Sequence, residues 1–485
     1  MLFPTIEFGG FFVFVYYVSS SIEDRNELRK FFLLLASYFF YASWDAHFLL
    51  LLILCSLTNY VLAILIDQNP DGQYSFFNSK ISFTLSKKQS HLIFIFGIIF
   101  NLSVLGVYKY FNFFSISFVN LFSSLGVHLN APLLNLALPL GLSFFTFQGI
   151  SYLSDVHSGK CNSEKSLLNV FLLISFFPHL VSGPIVRASE FLPQLQIDPR
   201  DRKVDVSASL LLLLFGLFKK IVLANYLATS LVDPVFDNPS QASTFDAWFA
   251  TYGYAIQIYC DFSGYSDMAI SLAGLLGFRF PENFNQPYRS KSLKEFWRRW
   301  HISLSCWLRD YLFIPLGGSK SGAFKTYRNL FLTMILGGLW HGAAWTFLFW
   351  GLMHGIGLVF ERWRSDRMPE CIHCHSNRQN SPFLVFHYVC FSWIFFRSPT
   401  LAQAGDFLKA FTNIHQPTQY VTPFTLSLIC SGLLLQILPS KLSLKLPDWI
   451  GYLPVPMMGL FFGFLLTTLI AMSPNEVSPF IYFKF

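Results

Sequence analysis

The sequence predicts an all-α, polytopic membrane helical bundle, and three observations carry that prediction. Only 13% of the 485 residues are charged, against roughly 25% in soluble domains. Hydrophobic residues make up 53% of the chain. Several runs, among them His47 to Ile66 and Leu92 to Val107, reach or approach the ~20 apolar residues that cross the hydrocarbon of a bilayer. The runs are continuous rather than alternating, which is the pattern of helices and not of a transmembrane barrel. The 58 phenylalanines suit lipid-facing and interhelical packing.

The first stretch, MLFPTIEFGGFFVFVYYVSSSI, lacks a basic start and a clear small-residue cleavage site. It reads as a retained first span near 6–22 rather than a signal peptide. Further spans are expected near 31–44, 47–66, 92–114, 132–156, 166–184, 207–232, 245–275, 328–361, 383–397, 423–439 and 455–472. That makes roughly 11–13 spans, with re-entrant or amphipathic helices besides. Linkers are short and no repeat is visible. One integrated membrane domain over 1–485 is the simplest organisation, with the chemistry concentrated in about 130–361.

The net charge of +7 collects in clusters: Arg25, Arg29 and Lys30; Lys80, Lys87 and Lys88; Arg200, Arg202 and Lys203; Arg362, Arg364 and Arg367. In a membrane protein such clusters mark cytoplasmic loops rather than nucleic-acid binding. They cannot all be cytoplasmic if every apolar run crosses once, so some runs re-enter or lie at the interface.

Several classes lose support. The eight cysteines are scattered, and Cys55, Cys260, Cys390 and Cys430 sit inside apolar runs, as packing residues rather than a disulfide framework. Cys371-Ile372-His373-Cys374-His375 matches the c-type haem attachment pattern. Haem attachment requires the extracytoplasmic side, against which Arg362, Arg364 and Arg367 argue. No second ligand pair stands out for zinc, so a solvated loop is the favoured reading and no metal site is expected. No P-loop, nucleotide-binding glycine fingerprint or nucleophile elbow appears.

Polar residues break the apolar pattern in several places. Asp261 and Asp267 stand six apart in one run and so point to different sides of a helix. Each either faces a wet cavity or pairs with a neighbouring helix. Pro178 and Pro184 break a run near His179 and Arg187, as at a cavity wall or a helix end. Ser143, Thr146, Gln148, Ser151 and Asp155 form a polar lining or, by preference, helix–helix glue.

The segment 278–327 is dense in aromatic and basic residues but too polar to span. Leu293, Phe296, Trp297, Trp300 and Leu304 follow helical spacing, with Lys291, Lys294, Arg298 and Arg299 opposite. This predicts an amphipathic helix at a membrane surface or a protein cleft. His301 sits at the edge of its apolar stripe, beside Trp297.

Arg328 to Glu361 reads as one span that gathers Gly337, Gly338, Trp340, His341, Gly342 and Trp345. An imidazole there is costly and points to structure or to chemistry. Burial disfavours the imidazolium, so a buried histidine stays able to accept a proton. A neutral imidazole takes a proton from a hydroxyl and returns it to a leaving group, which suits transfer of an acyl group to an alcohol. Glycines beside His341 allow close approach, and Trp340 and Trp345 are expected to wall the site. His354, on another face of the same predicted helix, reads as structural.

A family resemblance rests on runs spread along most of the chain. They are Asp261-Phe262-Ser263-Gly264-Tyr265-Ser266-Asp267, Phe284-Asn285-Gln286-Pro287-Tyr288, and Phe296-Trp297-Arg298-Arg299-Trp300-His301-Ile302-Ser303-Leu304-Ser305. Arg309-Asp310-Tyr311, Pro315-Leu316-Gly317-Gly318 and Gly338-Leu339-Trp340-His341-Gly342 follow. Ala36-Ser37-Tyr38-Phe39-Phe40-Tyr41 and Gly183-Pro184-Ile185-Val186-Arg187 fit as well. Together they resemble the membrane-bound O-acyltransferase (MBOAT) family, in its alginate O-acetyltransferase-like branch.

The resemblance implies a multi-helix fold pierced by a central tunnel, and acyl transfer to a hydroxyl. It maps the essential histidine onto His341 and the upstream polar position onto His301. Trp340, Gly342, Trp345, Asp261, Asp267, Arg187, Trp297 and Arg298 become tunnel-lining or supporting residues. It further implies the cell inner membrane, acetyl-CoA as donor with no bound cofactor, an envelope polysaccharide as acceptor and a periplasmic SGNH-type acetyltransferase or esterase as partner. D-alanyl transfer to teichoic acid, and a non-enzymatic transporter using the histidines as a proton relay, are the competing expectations.

Overall fold

The computed structural model describes residues 1, 3–67, 74–76, 79–81, 85–320, 322–367, 381–438, 454–473 and 480–481. The Cys371–His375 motif lies outside the described residues. The chain forms two compact units, Met1–Val204 with Leu272–Pro281, and Asp205–Ser271 with Glu282–Phe485.

The first unit opens with α1 (Ile6–Ser21), α2 (Asn26–Ala42) and α3 (His47–Ile66). A small antiparallel hairpin follows, β1 (Tyr74–Phe76) against β2 (Ser79–Ile81), with Ser75 opposite Lys80. Then come α4 (Lys87–Leu105), a π-helical turn and α5 (Phe111–Ser124). Its remaining helices are α6 (Leu142–His157), α7 (Leu167–Ser175), α8 (Phe177–Leu180) and α9 (Ala188–Gln196). Ser86 and Gln89 make a reciprocal capping box that starts α4, which satisfies two otherwise orphaned amides.

Helices α3, α4 and α6 meet at a polar knot. The buried Asn59 and Asn101 amides bond to each other reciprocally at 3.2 and 2.9 Å. They sit where a side chain on Gly149 of α6 would stand, 2.6 Å from Asn59 Nδ2. Paired amides over a glycine are an economical adhesive between helices in lipid. Two neighbouring hydroxyls of α6 bond within their own helix, Thr146 Oγ1 donating to Leu142 O at 2.8 Å and Ser151 Oγ to Gln148 O at 2.9 Å, while the buried Gln148 Oε1 has no hydrogen-bond partner among the described residues.

The span expected near 132–156 is shorter than its apolar run. Residues 127–139 are not helical and α6 begins only at Leu142. Pro132 and Pro139 remove amide donors and push the residues before them to extended backbone. Gly141, at φ 69° and packed against the Leu180 carbonyl, makes the turn into the helix.

Two of the expected loop cations are anchors instead. Arg29 is buried in the first turn of α2 and donates to Leu276 O at 2.7 Å. The Arg202 guanidinium stacks on Phe278, 4.4 Å from the ring centre.

The second unit begins with a long helical stretch, α10 (Val206–Leu217), α11 (Asn225–Leu227) and α12 (Asp233–Asp237), joined through π-helical segments. It continues with α13 (Thr244–Leu275), which enters this unit up to Ser271. Then follow α14 (Leu293–Arg299), α15 (Ile302–Leu308), α16 (Ala323–His341), α17 (Trp345–Arg367), α18 (Pro382–Arg397), α19 (Leu401–Ala410), α20 (Pro423–Leu434) and α21 (Val455–Ala471).

The predicted single span Arg328–Glu361 is in fact a hairpin of α16 and α17. Gly342 is extended (φ −160°, ψ 150°) and ends α16 directly after His341. The helices run antiparallel: Gly338 lies against Phe347, Gly351 against Met334 and Gly355 against Phe331. A Cβ on Gly338 would meet the Phe347 carbonyl oxygen, and one on Gly351 the Met334 carbonyl oxygen. These small residues let the two backbones touch.

Among the described residues three helical stretches are long and apolar enough to cross a membrane: His47–Ile66, Lys87–Ser124 and Val206–Asp237. Their outer faces stay apolar, with Leu50, Leu92, Ile99, Phe118 and Phe215 all exposed. Water would not tolerate such a surface, and lipid does. The chain is an all-α, multi-pass membrane protein.

Candidate active site

The site is built around a break in a helix. The apolar stripe predicted over Leu293–Leu304 exists, but as α14 and α15 rather than one continuous helix. Ser292 caps α14, accepting from the Glu295 amide at 3.0 Å. Leu293, Phe296, Trp297 and Trp300 are buried while Lys291, Lys294 and Arg298 are exposed. Arg299 turns back to Glu295 at 2.9 Å. Between the helices His301 takes a left-handed conformation, φ 42° and ψ 58°. Histidine is among the few non-glycine types enriched there, and such a position costs about 1–3 kcal/mol and persists only where its surroundings enforce it.

Asn283 enforces it. Its backbone carbonyl accepts from the Ile302 amide at 2.9 Å. Its side-chain oxygen accepts from the Ser303 amide at 3.1 Å and from Ser303 Oγ at 2.9 Å. Its side-chain nitrogen donates to Ser266 Oγ on α13 at 3.1 Å. One buried amide thus caps α15 and ties it to α13. No spacing rule marks Asn283 in the sequence; it follows Glu282 among several polar residues just ahead of the Phe284–Tyr288 motif.

The His301 ring is fully buried. Phe262 packs edge-on at 4.5 Å, Phe284 lies at 6.2 Å and Trp340 at 6.2 Å between ring centres. Its Nδ1 is 3.2 Å from Asn283 Oδ1. Its Nε2 has no hydrogen-bond partner among the described residues. A buried polar atom left so costs about 1–3 kcal/mol, and a catalytic role is one of the reasons a protein keeps one. His301 lies outside the candidate spans, and burial pushes its pKa well below the ordinary histidine value, so the ring is neutral.

His341 ends α16 and is 3% exposed. Its ring meets Trp340 at 5.0 Å, Trp350 at 5.1 Å and Phe396 at 5.2 Å. Gly342 beside it admits the Phe347 ring where any Cβ would stand. Both histidines therefore pack on one indole, that of Trp340. The α16–α17 hairpin and the α14–α15 break deliver them there from opposite directions in the sequence.

The other expected site residues divide. Trp297 is buried against Trp350 at 5.7 Å and His354 at 5.2 Å. Trp345 is 58% exposed in the first turn of α17, and the indole of that helix that faces His341 is Trp350. Arg298 is exposed on the polar side of α14. Arg187 begins α9 in the first unit, where His179 is buried with Nε2 3.0 Å from Leu173 O. His354 lies on α17, not on the helix of His341, and bonds Ser392 Oγ at 3.0 Å.

Asp261 and Asp267 are ion-pair partners. Asp261 is buried 2.5 Å from Lys220 Nζ and accepts from the Ile481 amide at 2.8 Å. Asp267 pairs with Lys219, whose Nζ also donates to Ser263 Oγ at 3.0 Å. The pairs form because α13 and the α10 stretch cross at Gly264 and Gly216, where an added Cβ would be 2.7 Å from the opposite carbonyl oxygen. The two adjacent lysines inside an apolar run were the signal for them.

Fold and site define a multi-pass, all-α membrane protein with two buried histidines set on a shared indole. The chain belongs to the membrane-bound O-acyltransferase family, MBOAT, whose family model matches residues 35–397; it is an O-acyltransferase. It is 40% identical over 405 residues to a Pseudomonas aeruginosa protein named "Probable alginate O-acetylase AlgI", covering 82% of this chain and 72% of that one. It is 34% identical over 440 residues to the peptidoglycan O-acetyltransferase of Helicobacter pylori, covering 85% and 78%. The teichoic acid D-alanyltransferase of Bacillus subtilis is 30% identical over 285 residues, 54% of this chain and 69% of that one.

Proposed function

We propose that the chain resides in the cell inner membrane and moves acetyl groups from cytoplasmic acetyl-CoA toward O-acetylation of an envelope polysaccharide, an alginate-like exopolysaccharide or peptidoglycan. The names of the two relatives that cover most of the chain support the acetyl group and these acceptors. The D-alanyl relative covers only 54% of it, which makes that transfer the weaker alternative. A tunnel through the bundle would bring donor and acceptor to the histidines, and a periplasmic SGNH-type acetyltransferase would carry the acetyl group onward.

In this reading His341 is the general base. It takes the proton of the acceptor hydroxyl as that oxygen attacks the thioester carbonyl carbon. The new C–O bond forms, the C–S bond breaks, and the proton passes from His341 to the thiolate, giving the ester and free thiol. His301 orients the acceptor or polarises the donor carbonyl. Trp340, Trp350 and Phe396 exclude water, which would otherwise hydrolyse the thioester.

The observation that carries the reading is the convergence of His341 and His301 on Trp340 within a buried aromatic shell. The test is ester-linked acetate measured on each purified envelope polymer from cells with and without the gene. Loss of acetate from one polysaccharide supports the proposal. Loss of ester-linked D-alanine, or unchanged esters on all polymers, would overturn it.

A further inference from the structure

We propose that Asn283 is a positioning residue that fixes His301 as the tautomer with its proton on Nδ1, leaving Nε2 as a buried acceptor for a substrate hydroxyl. His301 then does not polarise the donor carbonyl. The choice deepens the acyl-transfer reading and rests on it only for the identity of the substrate group.

The two ends of the Asn283 side-chain amide differ chemically, and its neighbours dictate its orientation. The Ser303 backbone amide can only donate, and it points at one end of the Asn283 side chain from 3.1 Å. That end is therefore the oxygen; a nitrogen there would set two donors against each other. The other end is the NH2, which donates to Ser266 Oγ at 3.1 Å.

The Asn283 oxygen is an acceptor only, and His301 Nδ1 faces it at 3.2 Å. Ser303 Oγ, 3.5 Å from Nδ1, already gives its own proton to that oxygen at 2.9 Å and so offers the ring only lone pairs. Nδ1 must carry hydrogen. In a neutral imidazole Nε2 is then bare, and burial keeps this ring neutral.

Nε2 is buried and has no hydrogen-bond partner among the described residues. A bare nitrogen bonds a hydroxyl or another donor; a carbonyl oxygen would need a proton there. The left-handed backbone at His301 belongs to the same device, since Asn283 holds the chain on both sides of it through Ile302 and Ser303. The polar link runs from α13 through Ser266 and Asn283 to the ring.

The experiment is magic-angle-spinning NMR of the full-length protein in lipid bilayers, with 15N-labelled histidine. The chain holds 12 histidines, and the His301 resonances are those lost in His301→Gln. We expect Nδ1 to carry hydrogen and Nε2 to resonate as an unprotonated nitrogen at neutral pH. In Asn283→Leu the Nε2 signal should move toward the protonated position as the two tautomers mix. A protonated Nε2 in the wild type would overturn the proposal and assign His301 to the carbonyl. An unchanged His301 spectrum in Asn283→Leu would overturn the role of Asn283. If that variant does not fold, the wild-type spectrum still decides the tautomer. The signals are read without turnover, so the result stands apart from whether acetate is the group transferred.

Discussion

The ring of His301 meets the indole of Trp340 edge to face, with centroids 6.2 Å apart, and His341 lies 5.0 Å from the same indole. The indole therefore sets the spacing of both imidazoles. Trp340→Phe keeps an aromatic filler but shortens it, so acyl transfer should fall at least tenfold while the protein still folds, since misplacement of about 1 Å can cost ~100-fold. Trp345→Phe, at an exposed position, should stay within about twofold. Initial rates of acyl transfer at matched protein levels check both, and equal losses would remove Trp340 from the site.

Gly338 packs against the Phe347 carbonyl where α16 and α17 cross. Gly338→Ala must push the hairpin apart, and overpacking of this kind costs about 1–3 kcal/mol. Gly405→Ala on α19, with open space around it, serves as the control and should be neutral or slightly stabilising. Thermal unfolding in detergent compares them.

The Lys220–Asp261 pair is buried on both sides, at 2% and 4% side-chain exposure. Lys220→Met leaves a buried carboxylate without that cation, a loss of about 3–5 kcal/mol. Lys220→Met with Asp261→Asn removes the charge as well and should recover a large part of it. A double variant no more stable than the single one would show that the charge itself is not what the pair compensates.

Acid should weaken the fold through His301. Its pKa in the folded protein is pushed down by burial, while in the unfolded chain it is about 6.5. The unfolded state then binds the extra proton, so stability is complete above that value and falls as pH drops below it. The slope is up to ~1.4 kcal/mol per pH unit, down to the folded pKa. His301→Gln should flatten the dependence of the unfolding midpoint between pH 6.5 and 5. An unaltered slope would mean that the ring protonates equally in both states.

Much of the fold was legible because a lipid-facing helix writes itself as an unbroken apolar run. α3 occupies the residues expected, His47–Ile66. The hairpin between α16 and α17 was not legible, because Gly342 turns the chain inside such a run with no proline or charge to mark it. The same opacity puts His341 and His354 on one predicted helix, though on different faces of it. The place of His301 at the edge of an amphipathic stripe is legible in the sequence, yet the break that presents it depends on Asn283, 18 residues earlier. Tertiary hydrogen bonds of that kind leave no period in the sequence. The sequence singles out Asp261 and Asp267 but not their partners Lys219 and Lys220, because the helix crossing that pairs them is hidden in it.

Whether His341 acts as the base is decided by the rate of acyl transfer of His341→Gln, compared at normal abundance and unfolding midpoint. Loss of a general base predicts a fall of about 10²–10⁴-fold, with ester-linked acetate on the envelope polymer falling in step. A rate unchanged from wild type in a folded His341→Gln protein would show that His341 is not the base.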